Sequence, residues 1–599
     1  MIRKLSCVLL LASQKVTNIA AFSSRTTASS FFTSSNKILS RNLSRPNHPN
    51  QHRRSFANTN VALKMTSSSK EAEADANLVH SRDVDAVYNA PVADGKRRPL
   101  NSTVEFLITA MVGVPLFLTV VLPLSAVFQV GKKVLPVAGE SAPLVTDANA
   151  TANAKDVLEV EADSFPPISE LTPLAERKYD AVLLGATGFT GGIAAKYMAQ
   201  QYGCGKELKW AIAGRSQKKL DAIRQEIVTL GFAPAVDSID TILVDTSQPS
   251  TVHGLVKDTR SIITTAGPFC KYGSNVVAFC ARYGTNYADI TGETGWNKEM
   301  IVKYEDLAKE TGAKIVSLCG NDSIPWDMTT FKLRQLMSKE CKDTISKVKC
   351  YDQLKGGISG GTIDTMLTAI DGKYVEPRFE FDPYLRTRDG KKSMNKSKNA
   401  SSQLMTKSDT LGGHGEWTSP FVMAAVNGEV VKRSQALSEG GNGTGSGSTL
   451  TYEEYVVNPS FKEAFLGWFG PILGLTALLN PITGVPMRKF LLPKPGDGPT
   501  EKQREYGYLL VSGVGEGQNG SLVRSEFYFP GDPGYKETAK MVVESGLCLA
   551  LEGDRLPEQG GGFFTPSVAM GDILLERLCK TGCKFASKVV RMPKLKSNL

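Results

Sequence analysis

Histidine is nearly missing from this chain. Only five of its 599 residues are histidine, and only His253 and His414 lie beyond the N-terminal region. That leaves almost no material for a histidine proton relay. The ten cysteines include no Cys-x-x-Cys pair. Cys579 and Cys583 stand four apart with no histidine beside them, so no zinc or other metal site is expected and the thiols read as reduced and mostly buried. Acid is missing from the start of the chain: eleven Lys or Arg precede the first acid, Glu71. Ser, Thr and Asn fill the same stretch, which cannot bury a core. The net charge of +10 therefore has the character of an address label, and nucleic acid is not an expected partner.

Residues 1–65 read as a targeting segment. Leu5 to Ala12 is a short apolar run behind Arg3 and Lys4, and Ser- and Arg-rich sequence follows it. A plastid leader is favoured, with a mitochondrial presequence as the alternative and an untargeted tail as the plain reading. Residues 66–103 are polar and disordered in character. Charge is missing again from Phe106 to Val130, between Lys96-Arg-Arg98 and Lys132-Lys133. A bilayer crossing needs about 20 apolar residues, so 104–131 is a candidate transmembrane helix. Pro115 and Pro123 would kink it, and a buried or interfacial hairpin is the alternative. Residues 134–177 form an acidic, alanine-rich linker.

The most telling run is Tyr179-Asp-Ala-Val-Leu-Leu-Gly185-Ala-Thr187-Gly188-Phe189-Thr190-Gly191, followed by an amphipathic stretch and the second strand Trp210-Ala-Ile-Ala213. Strand, glycine turn, helix, strand is the opening of a dinucleotide-binding sheet. Gly185 supplies the tight turn, Gly188 the close approach to a pyrophosphate and Gly191 the helix packing. Thr187 and Thr190 can bond phosphate through hydroxyl and amide. Phe189 covers the turn or simply packs. The second strand ends in Gly214-Arg215-Ser216, with Lys218 and Lys219 beyond. A guanidinium at this place suits a 2′-phosphate, so NADP(H) is preferred over NAD.

Further strands are predicted at 241–244, 261–265, 286–290 and 314–318, with helices between. The fold class is α/β: a doubly wound, Rossmann-type parallel sheet over 178–325, and a second, α+β domain over 326–533. Late helices over 534–586 pack back on the sheet, and a basic tail follows over 587–599. In the second domain a helix is expected over 362–370 and flexible segments over 387–415 and 434–448. Ala464 to Met487 carries no charge but four glycines and three prolines. It reads either as a broken helix dipping into a bilayer face or as an apolar core or dimer-forming hairpin, so a homodimer is possible.

Chemistry in such sheets belongs at the carboxyl ends of the strands. Those ends carry Asp245, Ala266-Gly267-Pro268, Asp289, Glu293, Asp322 and Ser323. Asp245 is placed for the adenine edge, and Ala266, Gly267 and Pro268 for the nicotinamide ribose. Asp289, Glu293, Asp322 and Ser323 are candidates for a substrate head group, with helix capping as the plain alternative for each. Tyr272 is the candidate proton donor, with packing as its alternative. Hydride transfer needs no triad or metal cluster, because the cofactor carries the chemistry.

The runs Gly185 to Gly191, Trp210 to Arg215, Ala266-Gly-Pro-Phe269, Tyr287-Ala-Asp-Ile-Thr-Gly-Glu293, Cys319 to Asp327, Gly356 to Thr362, Leu492 to Pro499 and Thr565 to Gly571 keep their order over about 178–586. There the chain resembles the saccharopine dehydrogenase-like oxidoreductases, which include bacterial trans-acting enoyl reductases of lipid biosynthesis. The resemblance implies an NADP-binding domain, a mixed second domain and association with membranes or lipid droplets. Asn321 departs from the aromatic or apolar residue expected before Asp-Ser-Ile-Pro. Three functions compete: a membrane-bound NADP(H) oxidoreductase acting on a lipid or acyl group, an amino-acid oxidoreductase of lysine metabolism, and a non-catalytic dinucleotide-binding membrane protein. The second would need convergent arginines, and Arg282 is one of few near the motifs.

Overall fold

The computed structural model describes residues 78–80, 166–205, 207–321, 323–356, 406–408, 416–421, 423–439, 450–479, 484, 487 and 498–593. The targeting segment, the span at 104–131, most of the linker and the helix expected over 362–370 lie outside the described residues.

In chain order the elements are β1 (Leu78–His80), β2 (Tyr179–Leu184), α1 (Phe189–Tyr202), β3 (Trp210–Gly214), α2 (Gln217–Thr229), β4 (Asp240–Leu243), α3 (Pro249–Lys257) and β5 (Thr259–Thr264). Then come the short α4 (Phe269–Tyr272), α5 (Ser274–Tyr283), β6 (Asn286–Asp289), α6 (Thr294–Thr311), β7 (Lys314–Val316), α7 (Ile324–Cys341) and β8 (Ile345–Lys355). The rest are β9 (Thr406–Ser408), β10 (Glu416–Pro420), α8 (Ala424–Glu439), β11 (Thr451–Asn458), α9 (Phe461–Leu479), α10 (Glu501–Glu505), β12 (Tyr508–Gly517), β13 (Leu522–Phe529), α11 (Thr538–Leu551), β14 (Gly562–Phe564), α12 (Pro566–Lys580) and β15 (Lys584–Arg591).

One sheet runs β4-β3-β2-β5-β6-β7-β14 and every pairing in it is parallel. Its first six strands follow the order of doubly wound dinucleotide-binding sheets. The reason is legible in β2, whose six residues are all buried: a parallel strand covered on both faces is mostly apolar, and its one charged residue, Asp180, is paired with Arg260 and accepts from Lys209 N. Ala181 and Leu183 face Ala194, Ala195 and Met198 of α1 and Val543 and Leu547 of α11. Val182 and Leu184 face α3, α5 and α6 through Val252, Val276, Val277 and Trp296. A fully buried leucine such as Leu183 contributes about 1.5–3 kcal/mol.

The second sheet is mixed, in the order β1-β15-β13-β12-β8-β11-β10-β9. Among the described residues only β8–β11 and β1–β15 of this sheet pair in parallel. Helix α7 leaves the first sheet and lies against β8, β12, β13 and β15, which fixes the second domain to the carboxyl edge of the first.

Several expectations need correcting. Part of the expected loop over 387–415 is strand β9, paired with β10. Residues 434–439, expected to be flexible, complete α8, because the buried hydroxyl of Ser434 bonds Asp327. Residues 587–591 of the expected tail belong to β15, which pairs with β13. The region 534–586 holds β14 as well as helices, and that strand extends the first sheet. The segment from Ala464 continues as helix through Pro471 to Leu479. Among the described residues no helix is long and apolar enough to cross a membrane.

Candidate functional site

The glycine turn closes on itself. Gly185 sits at φ +86°, a region glycine enters without the usual Cβ penalty. Gly188 N donates to Gly185 O at 3.0 Å and starts α1. Gly191 has no room for a side chain: an added Cβ would lie 2.1 Å from Gly185 O and 2.8 Å from Thr265 Oγ1. Gly188 is the opposite case. Its Cβ would meet only Gly185 O, at 3.4 Å. Space is kept open at the end of a helix that no side chain caps. The unanswered N–H groups and positive dipole end at that point suit a diphosphate, so the residues fit the cofactor that the turn implies.

Thr187 reaches across to the end of β3, where a Cβ on Gly214 would stand 3.6 Å from its Oγ1. Thr190 lies half-buried in the first turn of α1. Arg215 is exposed, and Ser216 begins α2 without capping it through its side chain. Asp245 closes its own turn: Ser247 donates to Oδ1 from its hydroxyl at 2.7 Å and its amide at 3.0 Å. Those bonds, with a smaller contribution from Arg215, hold its carboxyl below the usual carboxylate range. After β5, Thr265 N bonds Leu184 O, and Ala266, Gly267 and Pro268 pass directly over Gly185, whose Cβ would come within 2.9 Å of Ala266 N. Backbone at this place borders the same open space.

Four assignments change. Tyr272 ends α4 with its ring beneath the Arg215 guanidinium, 5.4 Å from centroid to Cζ. The end of the second strand holds the adenosine ribose, and nicotinamide lies at the other end of an extended dinucleotide. That contact ties Tyr272 to the side of the site where the adenosine ribose would lie, which weighs against the proton-donor role and for packing. Asp289 is fully buried and accepts from Thr291 N, Leu318 N, Ser317 Oγ and Tyr287 OH. Burial pushes its carboxyl up to about 6 against the pull of those bonds. It ties β6 to the chain after β7 and cannot touch a head group. Glu293 spends both oxygens on α4, accepting from Phe269 N and Cys270 N at 2.8 Å each; this is the helix cap. Ser323 is buried at the start of α7, closed off from a head group in solvent. Asp322 lies outside the described residues.

The second domain supplies residues that carry no role in the sequence reading. Phe189, the first residue of α1, packs edge-on to Tyr535 at 5.2 Å. Arg504 stands over the same ring at 5.5 Å. A Cβ on Gly498 would come 2.4 Å from the ring. The run Leu492 to Pro499 was the available signal, but nothing in it points at Phe189.

Behind the turn, α1 is bolted to the late helices. Tyr197 OH and Tyr202 OH both donate to Glu544 Oε1 at 2.6 Å, and Arg577 Nε donates to Oε2 at 2.9 Å. Burial first, then the Glu544 charge, pushes both phenols up. Burial is the largest influence on Arg577 and works against its charge, but Glu544, Tyr202, Cys548 and Glu552 together raise the guanidinium. Among the described residues no three His, Cys, Asp or Glu side chains gather as a metal site would require.

A parallel sheet in this order, an open glycine turn at an uncapped helix and an arginine at the end of the second strand define a Rossmann-type NADP(H)-dependent oxidoreductase. Residues 181–316 match the family described as "Saccharopine dehydrogenase NADP binding domain". The trans-acting enoyl reductase of Mycobacterium bovis is 33% identical over 426 residues, covering 68% of this chain and 97% of its own. The enzyme of the same name from Mycobacterium ulcerans is 33% identical over 431 residues, with 68% and 97% coverage. Among solved structures, saccharopine dehydrogenase (L-Glu forming) from Saccharomyces cerevisiae aligns with 68% of this chain and 99% of its own, at 12% identity and a TM-score of 0.38. The chain belongs to the saccharopine dehydrogenase-like family of NADP-binding oxidoreductases that includes the trans-acting enoyl reductases.

Proposed function

We propose that the protein is a membrane-associated NADP(H)-dependent reductase of lipid or lipid-linked acyl groups, acting on an enoyl or keto function. The observation that carries the reading is an aromatic row on α9. Phe461 and Phe465 are 50% and 40% exposed. Their rings join Trp417, Phe469 and Trp468 at centroid distances of 4.3–6.3 Å. Exposed aromatics at helical spacing suit an acyl chain or a bilayer surface. The mycobacterial relatives named as enoyl reductases support the reaction class. When bound, NADPH would supply a hydride, while the chain's residues hold the cofactor and keep water from it.

The lysine-pathway alternative finds less support. Arg282, the arginine it would use, is turned to the surface segment before β2 and donates to Pro166 O at 2.5 Å. A small dicarboxylate would lack that partner.

Serine at Phe461 and Phe465 is expected to raise KM for a long-chain enoyl or keto lipid, with NADPH affinity unchanged. Each methylene returned to water costs about 0.8 kcal/mol. These two positions are cleaner than Trp468 and Phe469, which are half-buried. Unchanged lipid kinetics in the double variant would remove α9 from the account. We also propose an organellar membrane location, plastid before mitochondrion, with lipid-droplet association as a further site. Phe106 to Val130 would hold the chain in the bilayer, so carbonate-washed membranes should retain it; complete release would reduce that segment to a surface contact.

A further inference from the structure

We propose that Arg504, brought by the second domain, binds the diphosphate of the cofactor. The inference rests on NADP(H) binding at the glycine turn, and it gives the second domain a direct part in holding the dinucleotide.

Arg504 is placed with unusual rigidity for a half-buried arginine. Helix α10 opens with a capping box in which Thr500 and Gln503 bond reciprocally. Arg504 Nη1 donates to Pro499 O at 2.6 Å. Its carbonyl accepts from Asp532 N at 2.8 Å, and Asp532 in turn accepts from Tyr535 N at 2.9 Å. Gly507 locks the same corner, since its Cβ would come 2.4 Å from Asp532 Cα. The guanidinium then lies 5.5 Å from the centre of the Phe189 ring, beside the first residue of the cofactor helix. Stacking on a ring holds the plane of a guanidinium and leaves its edge donors available.

Charge decides what those donors are for. Among the described residues Arg504 enters no ion pair, and its side chain's one hydrogen bond is to Pro499 O. The neighbouring acids are engaged elsewhere: Glu505 with Lys536 and Glu537 with Lys540. The N-terminus of α1 has no side-chain cap and presents positive potential of its own. Among the described residues no acid is ion-paired with Arg504 and the first turn of α1 holds none, so an anion between the two positive ends is favoured. The diphosphate is the anion the glycine turn is shaped to admit, and a guanidinium fork matches its oxygens. Arg504 therefore differs in kind from Arg215. It reads the part that NADPH and NADH share, whereas Arg215 reads the 2′-phosphate they do not.

The test uses full-length protein and equilibrium binding, followed by NAD(P)H fluorescence and calorimetry. Arg504→Gln keeps a flat, hydrogen-bonding end on a shorter side chain and removes its charge. NADPH and NADH should each bind roughly tenfold or more weakly, while 2′-AMP, which carries no diphosphate, binds as before. Arg215→Ala should show the reverse signature: weaker NADPH and 2′-AMP, unchanged NADH. Arg504→Lys should recover part of the loss. Wild-type affinity for both dinucleotides in Arg504→Gln would overturn the proposal. Equal loss of 2′-AMP would also overturn it, because the residue would then act through the fold. Failure of the unmutated protein to bind either dinucleotide would bring down the cofactor reading first and this proposal with it.

Discussion

Gly188→Val is expected to weaken binding of both NADPH and NADH strongly while leaving the protein folded. Gly188 has φ −82°, which valine adopts without strain. An added Cβ would meet only Gly185 O, at 3.4 Å. The branched side chain would instead fill the space kept for the diphosphate. Overfilling a close-packed site costs about 1–3 kcal/mol, so affinity for both dinucleotides should fall by roughly a hundredfold at the upper end of that cost. The thermal midpoint should move by no more than about 2–4 °C. Gly191→Ala must behave differently, because its Cβ would overlap Gly185 O at 2.1 Å and destabilise the whole turn. Arg215→Ala should weaken NADPH alone. Retained dinucleotide binding in a folded Gly188→Val protein would remove the turn from the cofactor site.

The second large effect is on stability. Glu544→Ala strips one carboxylate from a buried network of two tyrosines and an arginine that joins α1 to α11 and α12. Glu544 is 1% exposed. Removing one member of a buried ion pair costs about 3–5 kcal/mol. Glu552 still accepts from Arg577 Nη1 at 2.9 Å, so about 3 kcal/mol is expected, read from the denaturant midpoint. Cofactor affinity should fall as well, since α1 loses its brace. A loss below about 0.5 kcal/mol, the scale of exposed pairs, would show that the network is decorative.

The parallel sheet was legible because its strands are short, apolar runs bounded by glycine or by charge, and the glycine turn carries its own spacing. The cofactor preference followed from one residue, Arg215, at a place the motif defines. What stayed hidden depends on residues distant in sequence. The three residues of β14 follow a run of glycines and carry no strand pattern. They are held from afar: Glu305 accepts from Phe563 N at 3.1 Å, and Arg433 donates to Phe563 O at 2.6 Å. The carboxylate of Glu293 reads equally well as a ligand or a cap until its bonds to Phe269 and Cys270 are seen. Asp289 stands at a strand end, as a site residue should, but the return of the chain at Leu318 buries it. Tyr272 and Arg215 meet only in the fold, and their contact moves the tyrosine to the adenosine end. Gly498 came from a run recognised without a role, and Arg504 lies five residues beyond that run. Strand-end position proposes site residues, and burial then selects among them.

Hydride transfer between NADP(H) and a lipid acyl group is the step on which the proposed function stands. The direct measurement is isotope transfer. NADPH deuterated at the transferable position would be incubated with the purified full-length protein and a total lipid extract, and the lipids read by mass spectrometry. The account predicts one deuterium in a saturated or hydroxylated acyl product, lost in Gly188→Val. Unlabelled lipids throughout, together with NADP-dependent turnover of saccharopine, would contradict it.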